Sequence, residues 1–109
     1  MKNWQSICKT DDIPANTGRC ALLGKQQVAV FKLVINGTES VYALENHDPF
    51  SGANVLSRGI VGNLGDKKVV ASPVYKQHFC LETGECLEEN ITLRTFPVRV
   101  ENGEVQLGA

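Results

Sequence analysis

The sequence predicts an all-β protein, and three observations support that prediction. Segments rich in β-branched residues recur along the chain, and short turns containing Gly, Asn or Asp separate them. The clearest segment, "VAVFKLVI" (residues 28–35), runs into Asn36-Gly37, the strongest short hairpin signal, and "SVYAL" supplies the return strand. Helical candidates are confined to two short stretches, "TDDIP" and "SGANVLS". We therefore expect antiparallel sheets with at most a turn or two of helix.

The remaining strands follow from the same signals. In chain order they are "CALLG", "GIVGNL", "KKVVAS", "HFCL", "RTFPVRV" and "EVQL". The turns between them are predicted at Gly65-Asp66, Glu82-Thr83-Gly84 and Asn102-Gly103. In "RTFPVRV" the apolar residues Phe96, Val98 and Val100 alternate with Pro97 and Arg99, which is the period of a half-buried strand.

Length, composition and charge exclude several classes of protein. The 109 residues, 42% hydrophobic and 21% charged, indicate one globular domain spanning residues 1–109, and no repeat or linker divides it. A net charge of −1 provides no basic surface for nucleic acid. The longest apolar runs are far shorter than the roughly 20 residues that span a bilayer, and "MKNWQSICKTDD" is not a secretory signal. We expect a cytoplasmic protein without a nucleic-acid or membrane partner.

Four cysteines, Cys8, Cys20, Cys80 and Cys86, fit that compartment as reduced thiols. They form no C-x-x-C pair, so the usual spacing of a structural zinc site is missing. Cys80 and Cys86 flank the turn "LETGE", where a disulfide across a hairpin is geometrically possible. Cys8 and Cys20 have apolar neighbours and are predicted to be small buried core residues.

Two loops are unlike simple hairpin turns. The first loop, residues 45–58 ("ENHDPFSGANVLSR"), is long for a small β domain, and long loops without regular structure are usually functional. The second loop, residues 72–77 ("SPVYKQ"), also carries a proline after a small polar residue. Asp48-Pro49 and Ser72-Pro73 thus form a matched pair, in which each proline holds the preceding residue extended.

Around these loops the sequence resembles a Rieske-type iron–sulfur domain along nearly its whole length. The resemblance rests on "ALENHDPFSGANVLSRGIV", "VVASPVYKQHFCLETGECLE" and "LRTFPVRVENGEVQL". It implies an antiparallel β-sandwich or barrel with a small loop-rich subdomain. In that family a Cys-x-His in the first loop and a Cys-x-x-His in the second hold a [2Fe–2S] cluster. On this frame the four ligand positions fall on Asp48, Phe50, Ser72 and Tyr75, so every ligand is replaced.

The chemistry of these replacements argues against a cluster. The phenyl ring of Phe50 has no lone pair, and Asp48, Ser72 and Tyr75 offer only hard oxygens, which do not suit a sulfide cluster. We therefore expect no cofactor and no metal in this chain. His78 and Cys80 lie two apart in a predicted strand and share a face, which keeps one metal-site alternative open.

A narrower resemblance follows from "NHDPF", "VLSRGI" and "ASPVYKQHF", together with the opening "NWQSIC" and "CALLG". With the cluster ligands replaced, this pattern is similar to the small subunits of cytoplasmic NAD(P)H-dependent assimilatory nitrite reductases. The resemblance implies a non-catalytic accessory subunit. Its partner is then a large subunit that carries FAD, an iron–sulfur cluster and sirohaem and reduces nitrite to ammonium.

The residues agree with an accessory role. The chain has no glycine-rich dinucleotide fingerprint, no P-loop, and no nucleophile with a recognisable base, so we name no catalytic residue. Two alternatives remain open. One is an electron-transfer ferredoxin of the Rieske type, and the other is an independent domain that binds a metal or small ligand in the vacated loops.

Five residues are candidates for partner contact. Phe50 and Tyr75 stand where the family has its two imidazoles, near the tip of the domain. They form either an exposed aromatic anchor for the large subunit or an inward-facing pair that fills the space of the cluster. Arg58, Lys76 and Gln77 are candidates for contact with acidic groups on the partner.

The other loop residues have structural interpretations. Asp48, which precedes a proline, is expected to cap a turn by accepting hydrogen bonds from the following backbone amides, although binding of a hard cation with Ser72 and Tyr75 is an alternative. His47 is expected on the surface. Trp4 is expected to cover part of the core.

Overall fold

The computed structural model describes residues 3–74 and 76–108, and within them the regular structure is almost entirely β. The strands are β1 (Trp4–Lys9), β2 (Thr17–Leu23), β3 (Gln26–Ile35), β4 (Thr38–Glu45), β5 (Ile60–Leu64), β6 (Lys67–Ala71), β7 (His78–Cys80), β8 (Val98–Glu101) and β9 (Glu104–Gly108). Two single-turn 3₁₀ helices, Thr10–Asp12 and Leu56–Arg58, lie within the two stretches predicted as short helical candidates or at their edge. The all-β prediction is confirmed.

The strands form three antiparallel sheets. The terminal sheet has the order β1-β9-β8, the central sheet β2-β3-β4, and the small sheet β5-β6-β7. The predicted hairpin joins β3 to β4, with Ile35 opposite Thr38 and positive φ angles of 51° and 78° at Asn36 and Gly37. Positive φ at both central residues is the requirement of a type I′ turn, which explains the Asn-Gly pair.

The central sheet is covered on both faces, and β3 therefore carries a nearly continuous apolar run. Val28 and Val30 face the terminal sheet and pack in one cluster with Val105 and Leu107. The residues that alternate with them face the small sheet and the first loop. They pack in a second cluster made of Ala29, Phe31, Leu33, Leu44, Leu56, Val70, Phe79, Leu81, Cys86 and Leu93. Burial on both faces replaces the simple alternation of a half-exposed strand.

The strand predicted over residues 94–100 is shorter than expected. Only Val98–Glu101 is regular; Phe96 is buried, whereas Val100 is 41% exposed. Pro97 has no N–H and cannot donate to a ladder. The segment before it instead bonds separately, with the Phe96 N–H donating to the Ala43 carbonyl at 3.0 Å.

The cysteines are free thiols, but their predicted environments are partly wrong. Cys20 is exposed because β2 is an edge strand of the central sheet, and Cys8 is only partly buried. Cys86 pairs with Phe79 across the turn and therefore shares the face of Phe79, whereas Cys80, the next residue, points to the opposite face. This geometry excludes the hairpin disulfide.

No helix in the described ranges has both the length and the apolar character needed to cross a membrane.

Candidate functional site

Asn46 organises the first loop. Its side chain is 1% exposed, and its Nδ2 group donates to the Asn54 carbonyl at 3.0 Å and to Gln27 Oε1 at 3.2 Å. Its Oδ1 accepts from the Ser57 N–H at 2.8 Å, and its backbone carbonyl accepts from the Leu56 N–H at 3.0 Å. One buried amide thus holds both ends of the loop against the central sheet.

Asp48 joins the two loops. Its Oδ1 accepts from the Phe50 N–H at 2.9 Å, which confirms the predicted turn cap. Its Oδ2 accepts a hydrogen bond from the Ser72 hydroxyl, and both side chains are buried. The Ser72 oxygen in turn accepts from the Val74 N–H at 3.2 Å. We call the Asp48–Ser72 contact the loop clip, since it links residues 24 apart in sequence.

The hydrogen bonds of the loop clip favour an ionised carboxylate. Burial by itself raises the pKa of Asp48, but the hydrogen bonds from the Ser72 hydroxyl, from the Phe50 N–H and from Ser51 outweigh burial. The pKa of Asp48 is therefore lower than that of an ordinary aspartate. Hydrogen bonds to the charged form stabilise that form, so Asp48 is an acceptor at neutral pH.

Phe50 lies beside the core and is not isolated at the tip. Its ring centroid is 6.1 Å from that of Phe79, with the two planes tilted by 40°. The residue is half-buried and packs against the cluster that contains Phe31 and Phe79. The packing favours the inward interpretation for this ring, while its exposed portion leaves partner contact as a prediction.

The second loop is a tight turn whose ends are bonded together. The Ser72 N–H donates to the Gln77 carbonyl at 2.9 Å, and the Lys76 N–H donates to the Ser72 carbonyl at 3.2 Å. Lys76 has a φ of 65° and is exposed. Gln77 is half-buried, and its Oε1 has no hydrogen-bond partner among residues 3–74 and 76–108. Tyr75, predicted as a ligand-position residue and a partner contact, lies outside the described residues.

Arg58 ends the first loop at an exposed position beside the small sheet. Gly59 follows it, and a Cβ added there would lie 2.3 Å from the Ala71 carbonyl oxygen. This close approach seats the end of the first loop on β6, next to the second loop. His47 is exposed as predicted, with its Nδ1 3.1 Å from Asn54 Oδ1.

The donor set of the two loops does not fit a [2Fe–2S] cluster. The carboxylate of Asp48 and the hydroxyl of Ser72 bond to each other, and Phe50 offers no lone pair. The open alternative at His78 gains no support, since its Nδ1 lies 2.7 Å from Glu88 Oε2. Across the described ranges, no group of three or more His, Cys, Asp or Glu residues is placed to hold a metal ion.

The fold and the loops have a known counterpart. Residues 3–108 match the family model of the Rieske-like [2Fe-2S] domain. The chain therefore has the architecture of a Rieske-like domain.

Relatives with higher sequence identity define the family within the Rieske-like domains more narrowly. The chain is 45% identical over 108 residues to the nitrite reductase (NADH) small subunit of Salmonella typhimurium, which covers 98% of each chain. It is similar to the solved structure of the E. coli protein NirD, with a TM-score of 0.90 and 43% identity over 100% of this chain and 98% of that one. The chain belongs to the family of nitrite reductase small subunits.

A third relative has a different size. The nitrite reductase [NAD(P)H] large subunit of Klebsiella oxytoca is 45% identical over 106 residues, which are 96% of this chain but only 11% of that protein. In that protein a domain of this kind is therefore part of one polypeptide with a large subunit.

The sequence reasoning missed two buried polar residues. Asn46 stood in a quoted motif, but its role as the centre of the first loop was not predicted. Lys32 interrupts the apolar run of β3 and is nevertheless buried, because its Nζ donates to the Thr10 carbonyl at 2.9 Å and pairs with Glu39 at 2.9 Å. A single charged residue within an apolar strand was the available signal for such a pairing.

Proposed function

We propose that this chain is a non-catalytic accessory subunit of a cytoplasmic assimilatory nitrite reductase, in which it associates with the large subunit. That large subunit carries FAD, an iron–sulfur cluster and sirohaem and reduces nitrite to ammonium with NAD(P)H. The small subunit itself binds no cluster. It contributes a surface that contacts the large subunit.

The loop clip is the observation that supports this proposal most directly. A Rieske ferredoxin needs two thiolates and two imidazoles at the loop ends, and this chain has a hydrogen bond between Asp48 and Ser72 instead. The loops are thus closed without a redox centre. The Klebsiella oxytoca relative, in which such a domain is continuous with a large subunit, supports the choice of partner.

The first experiment captures the tagged chain from cells grown on nitrate. We expect a large sirohaem protein to be retained, and we expect the captured material to oxidise NADH only when nitrite is added. The chain expressed and purified alone is the matched control, and it should show no such activity. Capture without any large partner would contradict the proposal.

The second experiment measures iron, acid-labile sulfide and zinc in the chain purified alone. We expect colourless protein without stoichiometric amounts of any of the three. A brown protein with the spectrum of a two-iron centre would instead make the chain an electron-transfer ferredoxin. Stoichiometric zinc that survives dialysis would favour an independent metal-binding domain.

A further inference from the structure

The two faces of the small sheet differ sharply. Val61, Val70 and Phe79 lie opposite one another across β5, β6 and β7, and all three pack in the core cluster on the inner face. The residues alternating with them form the outer face. Ile60 pairs with Ala71, and Leu64 pairs with Lys67.

The outer face is apolar, and it is uncovered along β5, while Val69 and Cys80 further across the sheet are buried. Ile60 is 70% exposed and Leu64 is 43% exposed, the former being the most exposed large hydrophobic residue in the described ranges. Val69 and Ala71 form part of the wall of a shallow depression of about 110 Å³ between these two side chains. Val74, in the adjoining second loop, is 48% exposed. Several apolar side chains exposed together indicate a contact surface more strongly than isolated ones do.

Gly62 lies in the middle of this face, between Ile60 and Leu64. Glycine weakens a strand, so its presence in a strand interior calls for a reason. Its φ is outside the left-handed region, and the β5–β6 register shows no bulge. A Cβ added at Gly62 would meet no atom of the described chain within 4 Å. The fold itself gives no reason for glycine here, and the remaining common reason is the close approach of another molecule.

The rim of the outer face carries three basic residues and, in the turn between β5 and β6, the acidic Asp66. Lys67 lies on the same face as Leu64, while Arg58 and Lys76 lie in the loops at the end of the sheet that carries Ile60. Within the described ranges none of these three cations has a carboxylate in salt-bridge range. The carboxylate of Glu88 at this rim is already paired with His78. A partner that fits this face presents an apolar patch edged by acidic side chains.

We propose that the large subunit of the nitrite reductase docks on this outer face, over Ile60, Gly62 and Leu64. The inference rests on the proposed function, and it extends the contact beyond the loop tip to the small sheet. The occupant follows from the Klebsiella oxytoca relative, where a matching domain is joined to a large subunit, and from the three basic residues at the rim. Gly62 then allows the partner to approach the backbone of β5 closely.

The test measures binding of purified variants to the large subunit by calorimetry. Ile60→Asp places a charge in the apolar contact, and Gly62→Val fills the depression. We expect each to weaken binding about tenfold or more. Leu22→Asp is the matched control, because Leu22 is 59% exposed on β2 of the central sheet, and it should bind as the wild type does.

Melting temperatures of the isolated variants separate binding from folding. Gly62→Val should melt at the same temperature as the wild type or higher, since a β-branched residue suits a strand. If Gly62→Val is at least as stable as the wild type and yet binds more weakly, misfolding cannot explain its loss of binding. This result does not depend on whether Ile60→Asp folds well.

Each remaining outcome decides against the docking face. If Ile60→Asp and Gly62→Val both bind the large subunit as tightly as the wild type does, the large subunit does not dock on this face. The proposed function is unaffected by that result. If the wild type does not bind the large subunit, the proposed function fails, and the docking face fails with it. If the isolated chain forms a dimer that Ile60→Asp dissociates, the occupant is a second copy of this chain.

Discussion

The core of the central strand β3 and three polar residues of the paired loops are equally buried, but different forces stabilise them. Val28, Val30 and Phe31 have no exposed surface and interact through apolar contact on both sides of the strand. Asn46, Asp48 and Ser72 are just as inaccessible, yet each is polar and bonded to specific partners. Apolar packing depends on volume, whereas buried hydrogen bonds depend on matched donors and acceptors. Burial alone therefore does not show how a region fails when it is mutated.

Phe31→Ala should cause the largest loss of stability and tests the apolar side of this comparison. Phe31 is fully buried in the cluster between the central and small sheets, so truncation leaves a cavity. We expect the free energy of unfolding to fall by about 3–5 kcal/mol. Urea denaturation followed by circular dichroism measures it. Phe31→Leu is the control and should cost clearly less; equal losses would contradict a volume-based explanation.

Asn46→Ala tests the polar side. The substitution leaves the Ser57 N–H and the Asn54 carbonyl without their partner in a partly buried setting. Because unpaired buried groups are costly, we expect a loss of about 2–3 kcal/mol. The exposed Asn54→Ala variant retains its backbone carbonyl and should lose far less. Comparable losses in both variants would show that Asn46 is not the centre of the loop.

Asp48→Asn tests the loop clip through its dependence on pH. The folded-state pKa of Asp48 is lowered, so the stability it contributes is present above the unfolded pKa and is lost as pH falls through the folded pKa. We expect a loss of about 1–2 kcal/mol at pH 7 and a weaker acid dependence below about pH 4. Unfolding curves between pH 2 and pH 7 measure both.

Substitution of Ser72, the donor in the loop clip, tests the same hydrogen bond from its other side. Ser72→Ala removes the donor, so the pKa of Asp48 should rise toward that of an ordinary aspartate, which NMR titration of the carboxyl group detects. The hydrogen bonds from Phe50 and Ser51 to Asp48 are retained in this variant, so the rise reports the loss of the Ser72 hydroxyl. Unchanged titration of Asp48 in Ser72→Ala would show that the loop clip does not set its ionisation.

Phe50→Ala should have the smallest effect on stability, because only part of the ring is buried against Phe79. We expect a loss of about 1 kcal/mol. Measuring binding to the large subunit as well distinguishes the two interpretations of this ring. A binding loss much larger than the stability loss would make Phe50 a partner anchor, and the reverse would make it a core residue.

The sequence predicted those parts of the molecule that local chemistry determines. The hairpin at Asn36-Gly37 needs positive φ at adjacent residues, and the cap at Asp48 needs only amides two residues away. The loop clip was not predicted, since its two residues are 24 apart in sequence and meet only when both loops fold onto the small sheet. The outer face of the small sheet was missed because "GIVGNL" does not reveal which of its two faces is covered.

The resemblance to Rieske-type domains identified the positions of the two loops, and residue chemistry indicated that cluster ligands are missing. Neither the resemblance nor the residue chemistry predicted which contact holds the two loops together in place of a cluster. That answer required the burial of Asp48 and Ser72 and the hydrogen bond between them. The edge position of Cys20 escaped sequence reasoning for a similar reason, since an apolar neighbourhood in sequence does not define the neighbours across a sheet.

The loop clip also affects how the molecule matures. A loop pair closed by a carboxylate and a hydroxyl of its own chain is complete as soon as the polypeptide has folded. Under the proposed function, its formation therefore depends on neither iron supply nor cluster-assembly proteins, and dioxygen has no labile sulfide there to destroy.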